Sequence, residues 1–380
     1  MPDVDASTST FAVVTGGGTS GHVLPALAVA DALVTGGRSP DEIHYVGCER
    51  GIETRLLPDT PYGATFFDVV GFQRSFSKRN LGFVPKMWRA RREAIGLLRQ
   101  LRPSVVVSVG GYASMPAVFA AHRLDIPVVV VSYDLLPGRA SQLSARRAAA
   151  CAVAFEESPL PRATMTGAPV RQVILDLDRA TRRADARAAL GVDGDRFLVA
   201  IMGGSLGSGV LNRAITDYVA DHRDDAGLAI RHVAGERWVD QIDVIEPTGD
   251  TGVIHQVVGY EDDMPGVYAA ADLLVGRGGA STVHEVAVTG IPAVLVPWAG
   301  SAENHQEQNV AWLSDVGAAI MLREDEIGRL GSEIERLRHD EAARSALADA
   351  ASKRGDVHRS GALAQLIESV AARAGGTIAQ

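Results

Sequence analysis

The chain has few of the features that mark secreted, membrane-spanning or metal-holding proteins. Its only cysteines, Cys48 and Cys151, do not form a metal-type cluster and suggest a reducing compartment without disulfides. No apolar run reaches the ~18–20 residues of a membrane helix. The first ten residues are polar and acidic, unlike a signal peptide. We therefore expect a soluble, cytoplasmic protein.

An excess of positive charge is also missing. The net charge is −9 over 380 residues, which argues against general nucleic-acid binding. Apolar sequence, in contrast, is plentiful, since 46% of the residues are hydrophobic. A chain of this length suits two domains of ordinary size, each with a substantial core.

Short apolar runs recur along the chain, and several lead straight into glycines. Residues 11–15 precede a glycine-rich loop at 16–22, and residues 105–109 precede another at 110–114. The runs do not alternate with polar residues, which is typical of parallel strands covered on both faces. The pattern predicts doubly wound α/β domains. The other predicted strands are 43–46, 126–131, 197–202, 230–234, 253–258, 273–275 and 293–296.

A change of composition at residues 166–171 marks a domain boundary. We place the first domain at 1–168 and the second at 169–352. Residues 353–380 have a helical pattern, and we expect this last helix to return to the first domain.

Four loops contain paired glycines between a predicted strand and a predicted helix. In open α/β sheets the carboxyl ends of the strands are where ligands bind, and backbone amides in such loops suit phosphate. No loop follows a strict G-x-G-x-x-G or Walker A pattern, so the sequence does not favour NAD or ATP. Any one loop could be an ordinary tight turn; the four together favour phosphate or sugar contacts. The pairs are Gly17–Gly18, Gly110–Gly111, Gly203–Gly204 and Gly278–Gly279.

The stretch from Arg277 to Glu285 is the most informative of these loops. Gly278 and Gly279 permit a tight turn, and Ser281 or Thr282 could cap the following helix. The helix start would then present free amides to a phosphate. We predict that Glu285, on the first turn, accepts hydrogen bonds from a ribose diol.

The ordered set of motifs resembles the MurG family, over about residues 11–365. This bacterial family transfers GlcNAc from UDP-GlcNAc to lipid I, forming lipid II in peptidoglycan synthesis. The resemblance implies a GT-B fold, with two facing Rossmann-like domains and a cleft between them. It places the nucleotide sugar on the second domain and the lipid acceptor on the first. The matching motifs are residues 17–22, 110–114, 168–171, 203–205, 277–285 and 305–309.

The resemblance also implies roles for individual residues. His22 stands at the position of the candidate base, and Asp134 could supply a carboxylate facing the reaction. Asn309 is expected to brace its loop. The resemblance implies no cofactor or metal, and no Asp-x-Asp pair stands where it would obviously hold one. The donor contacts implied are Gly18, Thr19, Ser20, Arg171, Ser205, Ala280, Ser281, Thr282, Glu285, His305 and Gln306, and the acceptor contacts are Gly110, Gly111 and Tyr112.

The segment from Ser132 to Leu135 departs from the family pattern. The family usually shows His-Glu-Gln-Asn there, and this chain has one residue fewer before Pro137. The identity of the donor sugar and of the acceptor is therefore open. The alternatives are a paralogue with another UDP-sugar or acceptor, a non-hydrolysing UDP-GlcNAc 2-epimerase, and a catalytically impaired cell-wall binding protein.

A basic and aromatic segment at residues 72–92 is a local exception in this acidic chain. It suits docking on an anionic membrane surface, with apolar side chains entering the interface. Nucleic acid and an ordinary solvated helix face are the competing interpretations. We predict a peripheral protein on the cytoplasmic face of the membrane that binds no nucleic acid. The residues chosen for this contact are Phe76, Phe83, Trp88, Arg89 and Arg92.

Overall fold

The computed structural model describes residues 9–69, 83–204, 206–249, 251–301 and 304–378. Its contacts divide the chain into two compact units. The first unit joins residues 1–172 to 358–380, and the second comprises residues 173–357. The limits predicted from the sequence, 168 and 352, lie a few residues before these divisions.

Within the described residues, the first unit contains a seven-stranded sheet in which all strands are parallel. Its strands are β1 (Ala12–Thr15), β2 (Ile43–Cys48), β3 (Gly63–Phe67), β4 (Val105–Ser108), β5 (Val128–Ser132), β6 (Ala150–Val153) and β7 (Ala163–Met165). They lie in the order β3-β2-β1-β4-β5-β6-β7. The direction of winding reverses between β1 and β4, so the loops after these two strands flank the switch point where ligands bind in such sheets.

The second unit repeats this architecture with six described strands, again all parallel. They are β8 (Phe197–Met202), β9 (Leu228–Val233), β10 (Ile254–Val258), β11 (Leu273–Arg277), β12 (Ala293–Val296) and β13 (Ile320–Met321). Their order is β10-β9-β8-β11-β12-β13, with the switch point between β8 and β11. The predicted α/β class with two Rossmann-like, doubly wound sheets is confirmed.

Helices cover the sheets because the central strands are apolar on both faces. All residues of β1, β4, β5 and β12 are buried. The last helix packs against the first helix and against β4 and β6, within the first unit. The helices are α1 (Ser20–Thr35), α2 (Glu53–Leu56), α3 (Phe83–Leu101), α4 (Met115–Arg123), α5 (Arg139–Ala145), α6 (Gln172–Leu175), α7 (Arg179–Ala189), α8 (Gly209–Asp221), α9 (Met264–Ala270), α10 (Ala280–Thr289), α11 (His305–Ser314), α12 (Leu330–His339), α13 (Glu341–Gly355) and α14 (Ala362–Ile378).

Among the helices in the described ranges, none has both the length and the apolar character required to cross a membrane.

Candidate functional site

His22 lies on the first turn of α1, at the carboxyl edge of the first sheet. Its Nδ1 is 2.9 Å from the hydroxyl of Tyr133, which follows β5. The same hydroxyl donates a hydrogen bond to the carbonyl of Gly21. The predicted base, His22, is therefore in contact with the segment from Ser132 to Leu135, which departs from the family pattern.

Two carboxylates influence the charge of His22. Burial lowers the pKa of His22 below 6.5, because the charged imidazolium loses its hydration. The negative charges of Asp134 and Glu53 act in the opposite direction and raise that pKa. Asp134 is thus placed where its charge acts on His22. A neutral imidazole is the form that a general base requires.

Glu53 is a fully buried carboxylate beneath the first glycine loop. Its Oε1 accepts hydrogen bonds from the amides of Cys48, at 2.8 Å, and Gly18, at 3.1 Å. A Cβ at Gly17 would lie 2.3 Å from the same oxygen, and one at Gly51 would lie 1.8 Å from Oε2. Glycine is required at these positions because the carboxylate fills the space of a side chain.

This contact limits what Gly18 can do for a donor. Its amide already has an internal acceptor, so a phosphate oxygen would have to compete with Glu53 for that hydrogen. Donor contacts by Gly18 and Thr19 stay predictions, and so does that of Ser20, whose side chain is not described.

The second glycine loop of this unit packs against the first. Gly110 and Gly111 have φ of +94° and +76°, which glycine adopts without strain. A Cβ at Gly111 would lie 3.0 Å from Cδ2 of His22, and one at Gly18 would lie 2.8 Å from the ring of Tyr112. The structure therefore gathers the predicted acceptor residues around His22; their role as acceptor contacts stays a prediction.

In the second unit, α10 begins directly after the paired glycines at 278–279. Its N-cap is Gly279, with no side-chain cap hydrogen bond, and Ser281 and Thr282 lie inside the first turn. The prediction that Ser281 or Thr282 caps this helix was wrong, because the helix begins earlier than the hydroxyl side chains. The first amides of a helix have no acceptor within it. Those of Ala280, Ser281 and Thr282 are in this position.

Glu285 lies on the second turn of α10, not on the first as expected. The hydroxyl of Tyr268, on α9, donates a hydrogen bond of 2.6 Å to its Oε2. Tyr268 is fully buried, so it fixes the orientation of one carboxylate oxygen. No sequence motif indicates a role for Tyr268, because it lies inside an apolar helix.

Gln306 is the second residue of α11 and lies close to the end of β12. Its Oε1 accepts a hydrogen bond of 2.9 Å from the amide of Trp298. Asn304, which precedes the helix, has φ of +54° and turns the chain into it. The buried amide group of Asn309 lies 3.5 Å from the carbonyl oxygen of Gly278 and braces the glycine turn, as expected.

Arg277 connects three segments at the carboxyl edge of the second sheet. Its guanidinium donates to the hydroxyl of Ser208, at 2.6 Å, and to the carbonyl of Val296, at 3.1 Å. It also forms an ion pair of 2.5 Å with Glu324. Ser208 is the N-cap of α8, whose loop contains the third glycine pair. Arg277 is buried and therefore acts as a brace for these loops.

Some predicted residues are placed by the structure without a described role. Arg171 lies in the first unit, directly before α6. His305 is the first residue of α11. Ser205 and Phe76 lie outside the described residues, and the side chain of Phe83 is not described. Among the described residues, no group of three or more His, Cys, Asp or Glu side chains could hold a metal ion.

The first unit carries a basic groove. It has a volume of about 590 Å³ and is formed by α3, α4 and α5. Nearby on α3, Trp88 is 59% exposed, and the guanidinium of Arg92 lies 4.9 Å from its ring centre. Arg89 forms an ion pair with Glu93 on the same helix. The lining includes Arg91, His122, Arg123, Arg146, Arg147 and Leu143.

Comparison with known proteins covers both units. The models of the glycosyltransferase family 28 N-terminal and C-terminal domains match residues 12–153 and 198–360. A UDP-N-acetylglucosamine--N-acetylmuramyl-(pentapeptide) pyrophosphoryl-undecaprenol N-acetylglucosamine transferase from Nocardioides sp. is 38% identical over 83% of this chain and 85% of its own. The transferase of the same name from Clavibacter michiganensis is 37% identical over 96% of this chain and 98% of its own. The chain belongs to the MurG family.

Solved structures agree with this assignment. The crystal structure of MurG from Acinetobacter baumannii is 25% identical in sequence to this MurG-family chain. The two structures align with a TM-score of 0.68, and the alignment covers 96% of this chain and 99% of the solved chain. The structure of UDP-GlcNAc 2-epimerase from Neisseria meningitidis, bound to UDP-GlcNAc, aligns with a TM-score of 0.64 at 12% sequence identity. The alignment covers 96% of this chain and 100% of the epimerase chain. The second likeness shows a shared fold only. The predicted GT-B class and MurG resemblance are confirmed.

Proposed function

We propose that this MurG-family protein transfers N-acetylglucosamine from UDP-GlcNAc to lipid I, the undecaprenyl-pyrophosphoryl-MurNAc-pentapeptide, and so forms lipid II. The observation that carries the proposal is the sequence identity of 37%, over 96% of the chain, to a transferase whose name states this donor group and acceptor. The protein is accordingly a UDP-sugar glycosyltransferase. The altered segment from Ser132 to Leu135 does not change this assignment.

The second unit is proposed to hold the donor. Glu285, whose carboxylate accepts a hydrogen bond from Tyr268, is proposed to accept hydrogen bonds from the ribose diol. Gln306, oriented by the amide of Trp298, is proposed to contact the sugar hydroxyls, as is His305. A carboxylate oriented by a buried phenol loses little freedom on binding, which favours affinity.

The diphosphate is proposed to lie at the start of α10. There the amides of Ala280, Ser281 and Thr282 have no acceptor within the helix, and the helix dipole favours negative charge. Arg171 and Ser205 are proposed as further contacts with the nucleotide, since a guanidinium fork suits phosphate oxygens. These donors stabilise the charge that grows on UDP as the bond to the sugar breaks.

The first unit is proposed to bind the acceptor through Gly110, Gly111 and Tyr112 and to supply the base. The acceptor hydroxyl attacks the anomeric carbon from the face opposite to UDP, so the configuration inverts. The new C–O bond forms as the bond to the UDP oxygen breaks, and the hydroxyl proton passes to His22. Burial keeps that imidazole neutral and ready to accept a proton. The charge of Asp134 stabilises the imidazolium that results.

The first unit is also proposed to rest on an anionic membrane surface at the cytoplasmic face. The exposed ring of Trp88, the arginines of α3 and the basic groove support this proposal. An interfacial tryptophan with neighbouring cations suits the headgroup layer. Co-sedimentation with vesicles that contain or lack anionic lipid tests it. Trp88→Ala and Arg92→Ala are each expected to weaken binding to anionic vesicles. Equal binding by the variants and the parent would contradict this contact.

The proposed reaction is tested by measuring UDP release from UDP-GlcNAc with and without a lipid I analogue. Release that depends on the acceptor supports the proposal. Formation of UDP-ManNAc without an acceptor would indicate the epimerase. Binding of UDP-GlcNAc without turnover would indicate an impaired paralogue, and turnover of another UDP-sugar in preference would indicate a different donor.

A further inference from the structure

The hydroxyl of Tyr133 makes two hydrogen bonds at the proposed base. It lies 2.9 Å from Nδ1 of His22 and in short contact with the carbonyl oxygen of Gly21. The two rings meet edge to face, at an interplanar angle of 65°. Tyr133 is 6% exposed, so its hydroxyl is held by these protein groups.

The carbonyl of Gly21 has no amide donor at the usual position within its helix. In an α-helix this carbonyl would accept from the amide of the residue four positions later. That residue is Pro25, which lies inside α1 and has no amide hydrogen. The hydroxyl of Tyr133 donates a hydrogen to this carbonyl in place of the absent amide.

The direction of both hydrogen bonds follows from the contact of the phenol with Gly21. A carbonyl can only accept, so the phenolic hydrogen lies between Tyr133 and Gly21. Burial raises the pKa of Tyr133 well above 10, so the phenol keeps this hydrogen at neutral pH. The hydroxyl oxygen then faces Nδ1 of His22 with a lone pair. Nδ1 must carry the hydrogen of the neutral imidazole, because two facing lone pairs would repel.

We propose that Tyr133 is a positioning residue that holds His22 in the tautomer with hydrogen on Nδ1, so that Nε2 carries the lone pair that accepts the acceptor proton. This inference rests on the proposed function of His22 as the base. A neutral phenol here performs the task that a carboxylate performs in other histidine-based sites, where the partner of one ring nitrogen fixes the tautomer. Pro25 contributes by freeing the carbonyl that orients the phenol.

The tautomer can be read directly by NMR. In the full-length protein labelled with ¹⁵N-histidine, the two ring nitrogens of His22 give distinct shifts and couplings, assigned by comparison with His22→Gln. We expect the Nδ1–H form in the parent protein and a mixture containing Nε2–H in Tyr133→Phe. Tyr62→Phe is the matched control, because it removes a buried phenol that bonds Asp31 elsewhere in the same unit. We expect it to leave the His22 signals unchanged.

Kinetics provide the second readout. For Tyr133→Phe we expect kcat for transfer to a lipid I analogue to fall ~10–100-fold, with KM for UDP-GlcNAc within about twofold of the parent. If Tyr133 served only the stability of the fold, Tyr133→Phe would lower the melting temperature but would not lower kcat selectively while KM stays unchanged. The Nε2–H tautomer in the parent protein, or unchanged tautomer and kcat in Tyr133→Phe, would overturn the inference.

The outcomes also separate this inference from the proposed function. Loss of the Nδ1–H form in Tyr133→Phe supports the positioning role even where the parent protein shows no transfer. Absence of acceptor-dependent UDP release in the parent would instead count against the proposed reaction.

Discussion

The carboxylate of Glu53 accepts the amide hydrogen of Gly18 and so ties the end of β2 to the loop after β1. It accepts a further hydrogen bond from Cys48, and among the described residues it forms no ion pair. The carboxylate fills the space beside the loop, since a Cβ at Gly17 would lie 2.3 Å from its Oε1. The first glycine loop is therefore shaped by the protein itself and requires no ligand to form.

We expect Glu53→Ala to destabilise the protein by about 2–4 kcal/mol, because the buried amide of Cys48 and the half-buried amide of Gly18 lose their acceptor. Urea denaturation measures this change. Glu156→Ala, at an exposed position, is the matched control and should change the stability by less than ~0.5 kcal/mol. Equal stability of the two variants would show that Glu53 does not brace the loop.

We expect Gly51→Ala to reproduce a large part of this loss. The added Cβ would lie 1.8 Å from Oε2 of Glu53, and the carboxylate cannot move without breaking its hydrogen bonds. Gly96→Ala on α3 is the control, because nothing lies within 4 Å of its added Cβ. There alanine favours the helix by up to ~1 kcal/mol, so the variant should be as stable as the parent or more so. Thermal melting distinguishes the two alanines; similar losses would contradict the prediction.

Most strands inside the two sheets could be predicted from the sequence, and so could the edge strand β10, whereas the other three edge strands and the inner strand β6 could not. The runs at 105–109, 126–131, 197–202 and 293–296 are apolar because both faces of these strands are covered. The sequence pattern did not predict β3, β6, β7 or β13. The edge strands β3 and β7 are mostly exposed or half-buried, so their composition is mixed. The strand β6 is short and rich in alanine, and β13 has two residues.

The site divides in a similar way. Glu285, Gln306 and His22 were identified because they lie in motifs contiguous in sequence. The partners that orient them were not, since Tyr268 and Tyr133 are brought to their sites by the fold. Tyr133 and His22 are 111 residues apart. For Glu53 a signal was present, because glycines at 47 and 51 stand close to it in sequence, but what they accommodate is visible only in three dimensions.

The ion pair between Arg277 and Glu324 predicts a strong dependence of stability on the arginine. We expect Arg277→Met to cost about 3–5 kcal/mol, because it leaves a largely buried carboxylate without its partner. The double variant Arg277→Met/Glu324→Leu should cost less than the sum of the two single changes, as measured by urea denaturation. Strict additivity would mean that the two side chains are not coupled.

The contact between Tyr268 and Glu285 predicts graded effects on UDP binding. Glu285→Ala removes the proposed ribose contact and should weaken binding by ~10–100-fold, with the fold intact. Tyr268→Phe leaves the carboxylate in place but removes its orienting hydrogen bond, so a loss of about 3–10-fold is expected. Calorimetric titration with UDP measures both, with the exposed Glu341→Ala as the control. Unchanged affinity in Glu285→Ala would remove the assignment.

The buried pair of His232 and His255 predicts that the protein loses stability in acid. Burial lowers the pKa of each imidazole to about 4, against 6.5 for the exposed group. The unfolded chain therefore binds protons at these rings below pH 6.5, while the folded protein does so only near pH 4. Stability is fully present above pH 6.5 and falls as the pH is lowered towards 4.

The contribution of His255 can be isolated with His255→Asn, whose amide oxygen can accept from the amide of Ile245 as Nδ1 does in the parent. The free energy of unfolding of the parent minus that of this variant should be lower at pH 4.5 than at pH 7.5, by on the order of 2–3 kcal/mol. The reason is that only the parent must keep the ring of residue 255 neutral in the folded state. Urea denaturation at a series of pH values measures the difference. Between pH 7 and 8.5 the difference should be constant, which serves as the internal control. A difference that is the same at pH 4.5 as at pH 7.5 would show that His255 titrates alike in the folded and unfolded protein.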